Sequence, residues 1–234
     1  MRGARDSRRV RAAFEISATV AMLIAASILV WENWPTPSRS AITPPRTPGK
    51  PISLGSAPIK GAETARIGIV VFSEFQCPFC GAVARGALKA IETKYVATGR
   101  VRLAFRHFPL AKHTLARGAA AASICARDKF WEMHDLFFGN QDKLTDTDIR
   151  HYAAQIKLDS SEFDACRNAA KTEAEIDGDL GDGRALRVSG TPTVYLGVIQ
   201  SNGMLQVTDV LVGARPLADF ARILDRLLSS SAGQ

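Results

Sequence analysis

Phe72-Ser73-Glu74-Phe75-Gln76-Cys77-Pro78-Phe79-Cys80 stands between two different periodic patterns. Before it, residues 67–72 are apolar and β-branched on both parities, as in a central strand covered on both faces. After it, Val83, Ala84, Ala87, Leu88, Ile91 and Tyr95 share one stripe at helical spacing, and Gly99 ends the helix. Val101, Leu103 and Phe105 then alternate with Arg102 and Arg106, which predicts a strand with one wetter face. The order strand, Cys-x-x-Cys, helix, strand puts Cys77 at a helix N-terminus, where free backbone N–H groups and the macrodipole favour a thiolate. The thiolate is the reactive form of cysteine. Pro78 suits the first helical turn, because its missing N–H is not needed there. Cys80, one turn on, is placed to resolve a mixed disulfide formed at Cys77. Thiol–disulfide exchange is the chemistry this pattern supports, with Cys77 as nucleophile and Cys80 as resolving thiol.

Three plainer uses of the pair compete. Structural zinc needs four ligands, usually from two paired motifs, and only one pair is present. Covalent haem attachment needs histidine at position 81, which is Gly81. A purely structural bond would close a tiny loop and stabilise little. Cys125 and Cys166 stand alone in sequence, and an oxidising compartment would let them form a structural disulfide. Its loop of about 42 residues is worth roughly 4 kcal/mol in the chain-entropy model. A second redox relay through these two is the rival use. The four histidines show no metal-like spacing, so no metal is expected, and His134 reads as a packing or surface residue.

Further along, residues 111–187 are helical in pattern. Gly190-Thr191-Pro192 precedes the short strand Thr193-Val194-Tyr195-Leu196, and Gly203 marks a turn before a strand over Leu205–Val212. Pro216 opens a last amphipathic helix through Leu217, Phe220, Leu224 and Leu228. Toward the N-terminus, residues 1–11 form a basic flank and residues 12–31 an apolar run broken only by Glu15. Twenty such residues span about 30 Å as a helix, enough for an uncleaved signal-anchor across a membrane. A cleaved signal peptide is the competing reading, with Ser38-Arg39-Ser40 as a small-x-small site. Either one exports the rest of the chain, because the arginines stay cytoplasmic. Residues 32–60 are proline-rich and predict a linker, with the folded domain over 61–234. Of the net charge of +7, six units fall in residues 1–60. The domain itself is nearly neutral, which argues against a nucleic-acid partner.

The quoted stretch, Gly190-Thr191-Pro192-Thr193 and Lys129-Phe130-Trp131-Glu132-Met133-His134 together resemble the DsbA-like branch of the thioredoxin superfamily over about residues 60–230. The resemblance implies an α/β fold: a thioredoxin-like central mixed β-sheet flanked by helices, with an inserted α-helical subdomain. It implies a cis Pro192 packed beside the cysteines. Pro78, Phe79, Thr191 and Pro192 would form the substrate-binding surface, with Thr191 offering its backbone to a substrate strand. Phe79 stands where strongly oxidising members carry histidine, so oxidase and reductase or isomerase directions both stay open. So does a binding module whose Cys-x-x-Cys is only structural. Glu74 reads either as a proton-handling acid near Cys80 or as a solvated strand-end residue. The expected partners are exported proteins with free thiols or disulfides, and a membrane redox partner that recycles the Cys77/Cys80 pair. The expected location is the inner membrane, single-pass, with the domain on the periplasmic side. No cofactor is expected.

Overall fold

The computed structural model describes residues 48, 49 and 51–231. The basic flank 1–11, the apolar run 12–31 and residues 32–47 and 50 of the linker lie outside the described residues. Among the described residues no helix is long and apolar enough to cross a membrane.

Five strands make one mixed sheet. They are β1 (Ile59–Lys60), β2 (Ile67–Ser73), β3 (Val101–His107), β4 (Thr193–Ile199) and β5 (Leu205–Val212), in the order β1-β3-β2-β4-β5. β2 runs parallel to β3, with Ile67 opposite Val101 and Ser73 opposite His107, and the other three pairings are antiparallel. Every residue of β2 is buried. Ile67, Ile69 and Val71 face one side and pack with Leu88, Ile91, Tyr95 and Phe220. Val70 and Phe72 face the other and pack with Ala104, Ala120, Ile176 and Leu180. That division by parity is the two-residue period of a strand with helices on both faces.

α1 begins at Pro78–Val83 and runs on through wider π-helical turns at Ala84–Leu88 and Glu92–Val96, with Lys89–Ile91 between them. Between β3 and β4 lie α2 (Ala116–Cys125), α3 (Phe130–Gly139), α4 (Asp146–Gln155), α5 (Ser160–Arg167) and α6 (Ala170–Ala185); α7 (Leu217–Ser231) follows β5. Thr145 starts α4 with a reciprocal capping box to Asp148, and the Asp159 carboxylate caps α5 at the Glu162 N–H, 2.8 Å away. Phe130, Met133, Phe137, Phe138, Ile149, Tyr152 and Phe163 form the insertion's own core, continuous with Phe75 from the loop after β2 and Phe105 from β3. Cys125 and Cys166 are bonded, S–S 2.06 Å, joining the last residue of α2 to α5.

Two expectations need correction. The stretch before residue 61 is not all spacer. Ile52 exchanges backbone hydrogen bonds with Leu205 at 2.9 and 2.8 Å, Ile52 and Leu54 are buried, and β1 itself lies in this stretch. The proline-rich composition hides these apolar anchors. The wetter face predicted for β3 survives only at the half-buried Arg102. Arg106 is buried, paired with Asp179 and, at 2.6 Å, with Asp182, because α6 covers that face. Buried charge persists here only because it is paired and hydrogen-bonded.

Candidate active site

Cys77 is the residue just before the first turn of α1, with Pro78 at its first position and no side chain capping the end. Cys80 sits in that first turn, and the Gly81 N–H closes it on the Cys77 carbonyl at 3.1 Å. Both cysteines are buried free thiols. Their environments push them apart. Cys77 is pulled down from an ordinary 9.0 to about 5, chiefly by the hydrogen bond from the Cys80 thiol, then by Thr191 and by the backbone N–H groups of Cys80 and Phe79; burial opposes this. Cys80 is pushed up, first by burial and then by its bond to the Cys77 sulfur. One proton is therefore held on Cys80 while Cys77 carries the charge, the division of labour that thiol exchange requires.

Thr191 touches Cys77 from the other side, across a cis Thr191–Pro192 peptide. As a thiol, Cys77 Sγ donates to the Thr191 carbonyl at 3.4 Å. As a thiolate it has no proton to give. The Thr191 hydroxyl, buried and otherwise without a partner, is then the available donor. Phe79 is 62% exposed beside Cys77, and Leu115 is another exposed apolar side chain, carried on a segment whose Leu115 N–H is held by Gln76 Oε1 at 2.8 Å.

Glu74 is 1% exposed, so the solvated reading of it is overturned. Its Oε2 accepts the Gln76 N–H at 2.6 Å, and its Oε1 meets His113 Nδ1. Burial raises its pKa; His113 and the Gln76 N–H oppose the rise, and the Cys77 charge adds to it. The thiol whose charge acts on Glu74 is thus Cys77, in place of the Cys80 expected from sequence.

Two neighbours escaped the sequence reading. His113 comes from the segment after β3, with no motif to mark it. Gln141 follows α3, and its Nε2 donates to the carbonyls of Phe75 and Cys77, both at 2.8 Å. A Cβ at position 81 would collide with that amide, so glycine there makes the room. The only sequence hint of Gln141 is Gly81 inside an otherwise ordinary helix. Cys125 and Cys166 are bonded to each other, and the Cys125 side chain is buried in the same apolar cluster as Cys77 and Cys80. Among the described residues, no three histidine, cysteine or acidic side chains gather as metal ligands.

The family model described as Thioredoxin matches residues 54–207, which include both site cysteines and the Thr191–Pro192 peptide. The chain belongs to the thioredoxin family. Within that family the crystal structure of Wolbachia pipientis alpha-DsbA1 has a similar fold, with a TM-score of 0.69 at 21% identity, covering 77% of this chain and 95% of that one. The insertion between β3 and β4 gives the described residues a DsbA-like form of the thioredoxin fold. A probable disulfide bond formation protein D of Bacillus cereus is 27% identical over 146 residues, 58% of this chain and 68% of that protein. A protein of Salinispora tropica named Na(+)/H(+) antiporter NhaA 3 is 33% identical over 141 residues, 59% of this chain. This thioredoxin-family chain spans 21% of that antiporter's length.

Proposed function

We propose that this chain is an extracytoplasmic dithiol–disulfide oxidoreductase that oxidises cysteines of exported proteins. The low pKa of Cys77 beside a protonated Cys80 is the observation that carries it. A substrate thiolate attacks Cys77 Sγ of the Cys77–Cys80 disulfide, and Cys80 leaves and takes up a proton. A second substrate thiolate then attacks the substrate sulfur of the mixed disulfide, and Cys77 departs as a thiolate. Two electrons pass to the protein, the substrate gains one disulfide, and of its two thiol protons one ends on Cys80 and one in water. A stable Cys77 thiolate stabilises the reduced product and so drives oxidation of the substrate. Phe79 and Leu115 give the site an apolar rim suited to unfolded chains, and Thr191 supplies backbone for an extended substrate segment.

The reduced pair needs reoxidation, for which we infer a membrane redox partner. The arginines ahead of residues 12–31 support a single-pass anchor with this domain on the periplasmic side.

The reduction potential tests the direction. Active-site thiols of about 7 and 3.5 accompany potentials of about −270 mV in thioredoxin and −120 mV in DsbA. Cys77, held well below an ordinary thiol, therefore predicts a potential above thioredoxin's. Equilibration of the Cys77/Cys80 couple in glutathione buffers measures it. A potential as low as thioredoxin's would overturn the oxidase direction in favour of a reductase. Failure of Cys80→Ser to trap any mixed disulfide through Cys77 would overturn exchange chemistry altogether.

A further inference from the structure

A carboxyl group beside a thiolate raises the cost of that thiolate, because like charges disfavour each other. Glu74 stands three residues before Cys77, and its Oε2 accepts the N–H of Gln76, the residue next to Cys77, at 2.6 Å; the Cys77 charge adds to the rise in its pKa. Glu74 is also buried, so water does not screen the pair. Among the described residues, the titratable groups that act most on Glu74 are His113, from the segment after β3, and Cys77, from the start of α1. His113 Nδ1 lies on Glu74 Oε1, and its side chain is 18% exposed, so the pair reaches solvent on the histidine side. The Leu115 N–H on Gln76 Oε1 fastens the same segment to the same loop.

We propose that His113 is a positioning residue for the Cys77 chemistry: it shares one proton with Glu74, so that the pair carries no net charge while Cys77 is a thiolate. Its partly exposed ring is the side on which that proton enters and leaves. Without the imidazole, the Glu74 carboxylate stands uncompensated near the Cys77 thiolate and disfavours it. The inference rests on the exchange role proposed above for Cys77, and it names the group that keeps its thiolate cheap.

Thiolate absorbance at 240 nm, followed against pH in the reduced protein, tests this in wild type, Glu74→Gln, His113→Asn and the double variant. Asparagine keeps a hydrogen-bonding group near the Nδ1 position and removes the proton site. His113→Asn should move the Cys77 transition up by about 0.3 to 0.5 pH unit, roughly a two- to threefold fall in the thiolate-to-thiol ratio. Glu74→Gln should not move it up, and the double variant should match Glu74→Gln. An unmoved His113→Asn overturns the proposal. So does a double variant that stays raised, because the effect would then bypass Glu74. Glu74→Gln decides the matter alone if His113→Asn does not fold: an upward shift there overturns it. Exchange of wild type with oxidised glutathione, run alongside, keeps the two ideas separate. A wild type that does not exchange sinks the oxidoreductase role and leaves the titration result standing.

Discussion

Reducing the Cys77–Cys80 bond should make the domain's stability depend on pH in a way the oxidised form does not share. The oxidised pair has no proton to lose. In the reduced protein Cys77 titrates at about 5 when folded, against an ordinary 9.0 when unfolded. A depressed folded pKa contributes nothing below pH 5, adds stability as pH rises between 5 and 9, and is complete above 9. Each unit is about 1.4 kcal/mol, so at pH 7 the thiolate contributes roughly 2 to 3 kcal/mol. Cys80 has the opposite sign: its raised pKa costs the reduced fold stability above pH 9. The usable window is therefore pH 5 to 8. For a domain of this size, 2 to 3 kcal/mol is about 5 to 10 °C in Tm. Thermal unfolding of both redox forms across the window, followed by circular dichroism, gives the difference directly. The reduced-minus-oxidised Tm should climb with pH, and Cys77→Ser, which can form no Cys77–Cys80 bond, should follow the pH dependence of the oxidised form. A difference that stays level from pH 5 to 8 would refute the assignment of the charge to Cys77.

Other consequences can be checked singly. Thr191→Val deletes the hydroxyl that faces the thiolate and should raise the Cys77 pKa by about half to one unit, read at 240 nm; no change would remove Thr191 from the set of donors. Gln141→Leu leaves the Phe75 carbonyl without its donor and should cost about 1 to 3 kcal/mol in urea unfolding, whereas the Cys77 carbonyl keeps the Gly81 N–H. Replacing Cys125 and Cys166 together by alanine opens a loop of 41-residue separation and should lower stability by about 4 kcal/mol while leaving the Cys77/Cys80 potential in place. A shifted potential would show that the second disulfide takes part in exchange.

β2, α1 and the approximate span of the insertion were legible because each rests on a long apolar period that tertiary packing reinforces. β1 was not, because two residues carry no period, and Ile52 and Leu54 sit among prolines and serines that read as spacer. The π-helical turns of α1 have no signature in side-chain pattern. Arg106 was misread because alternation reports which residues share a face; it does not report what covers that face, and here α6 brings Asp179 and Asp182 to it. At the site, Cys77 and Cys80 were visible because they are adjacent in sequence. Glu74 was visible as a carboxyl, but its burial and its partner were not, since His113 arrives 39 residues later. Gln141 belongs to the same class of contact.

The edge of the sheet bears on a different problem. β1 pairs with β3 at Ala104 and Leu103, and the Pro58 carbonyl takes the Phe105 N–H at 3.2 Å. A strand left bare there would present unpaired donors and acceptors, a template for any extended chain. In the role proposed above, the molecule spends its working life among unfolded polypeptides that are rich in such chains. The strap formed by residues 58–60 then leaves only two residues of strand on that edge of the sheet, too short a template to seat an extended client.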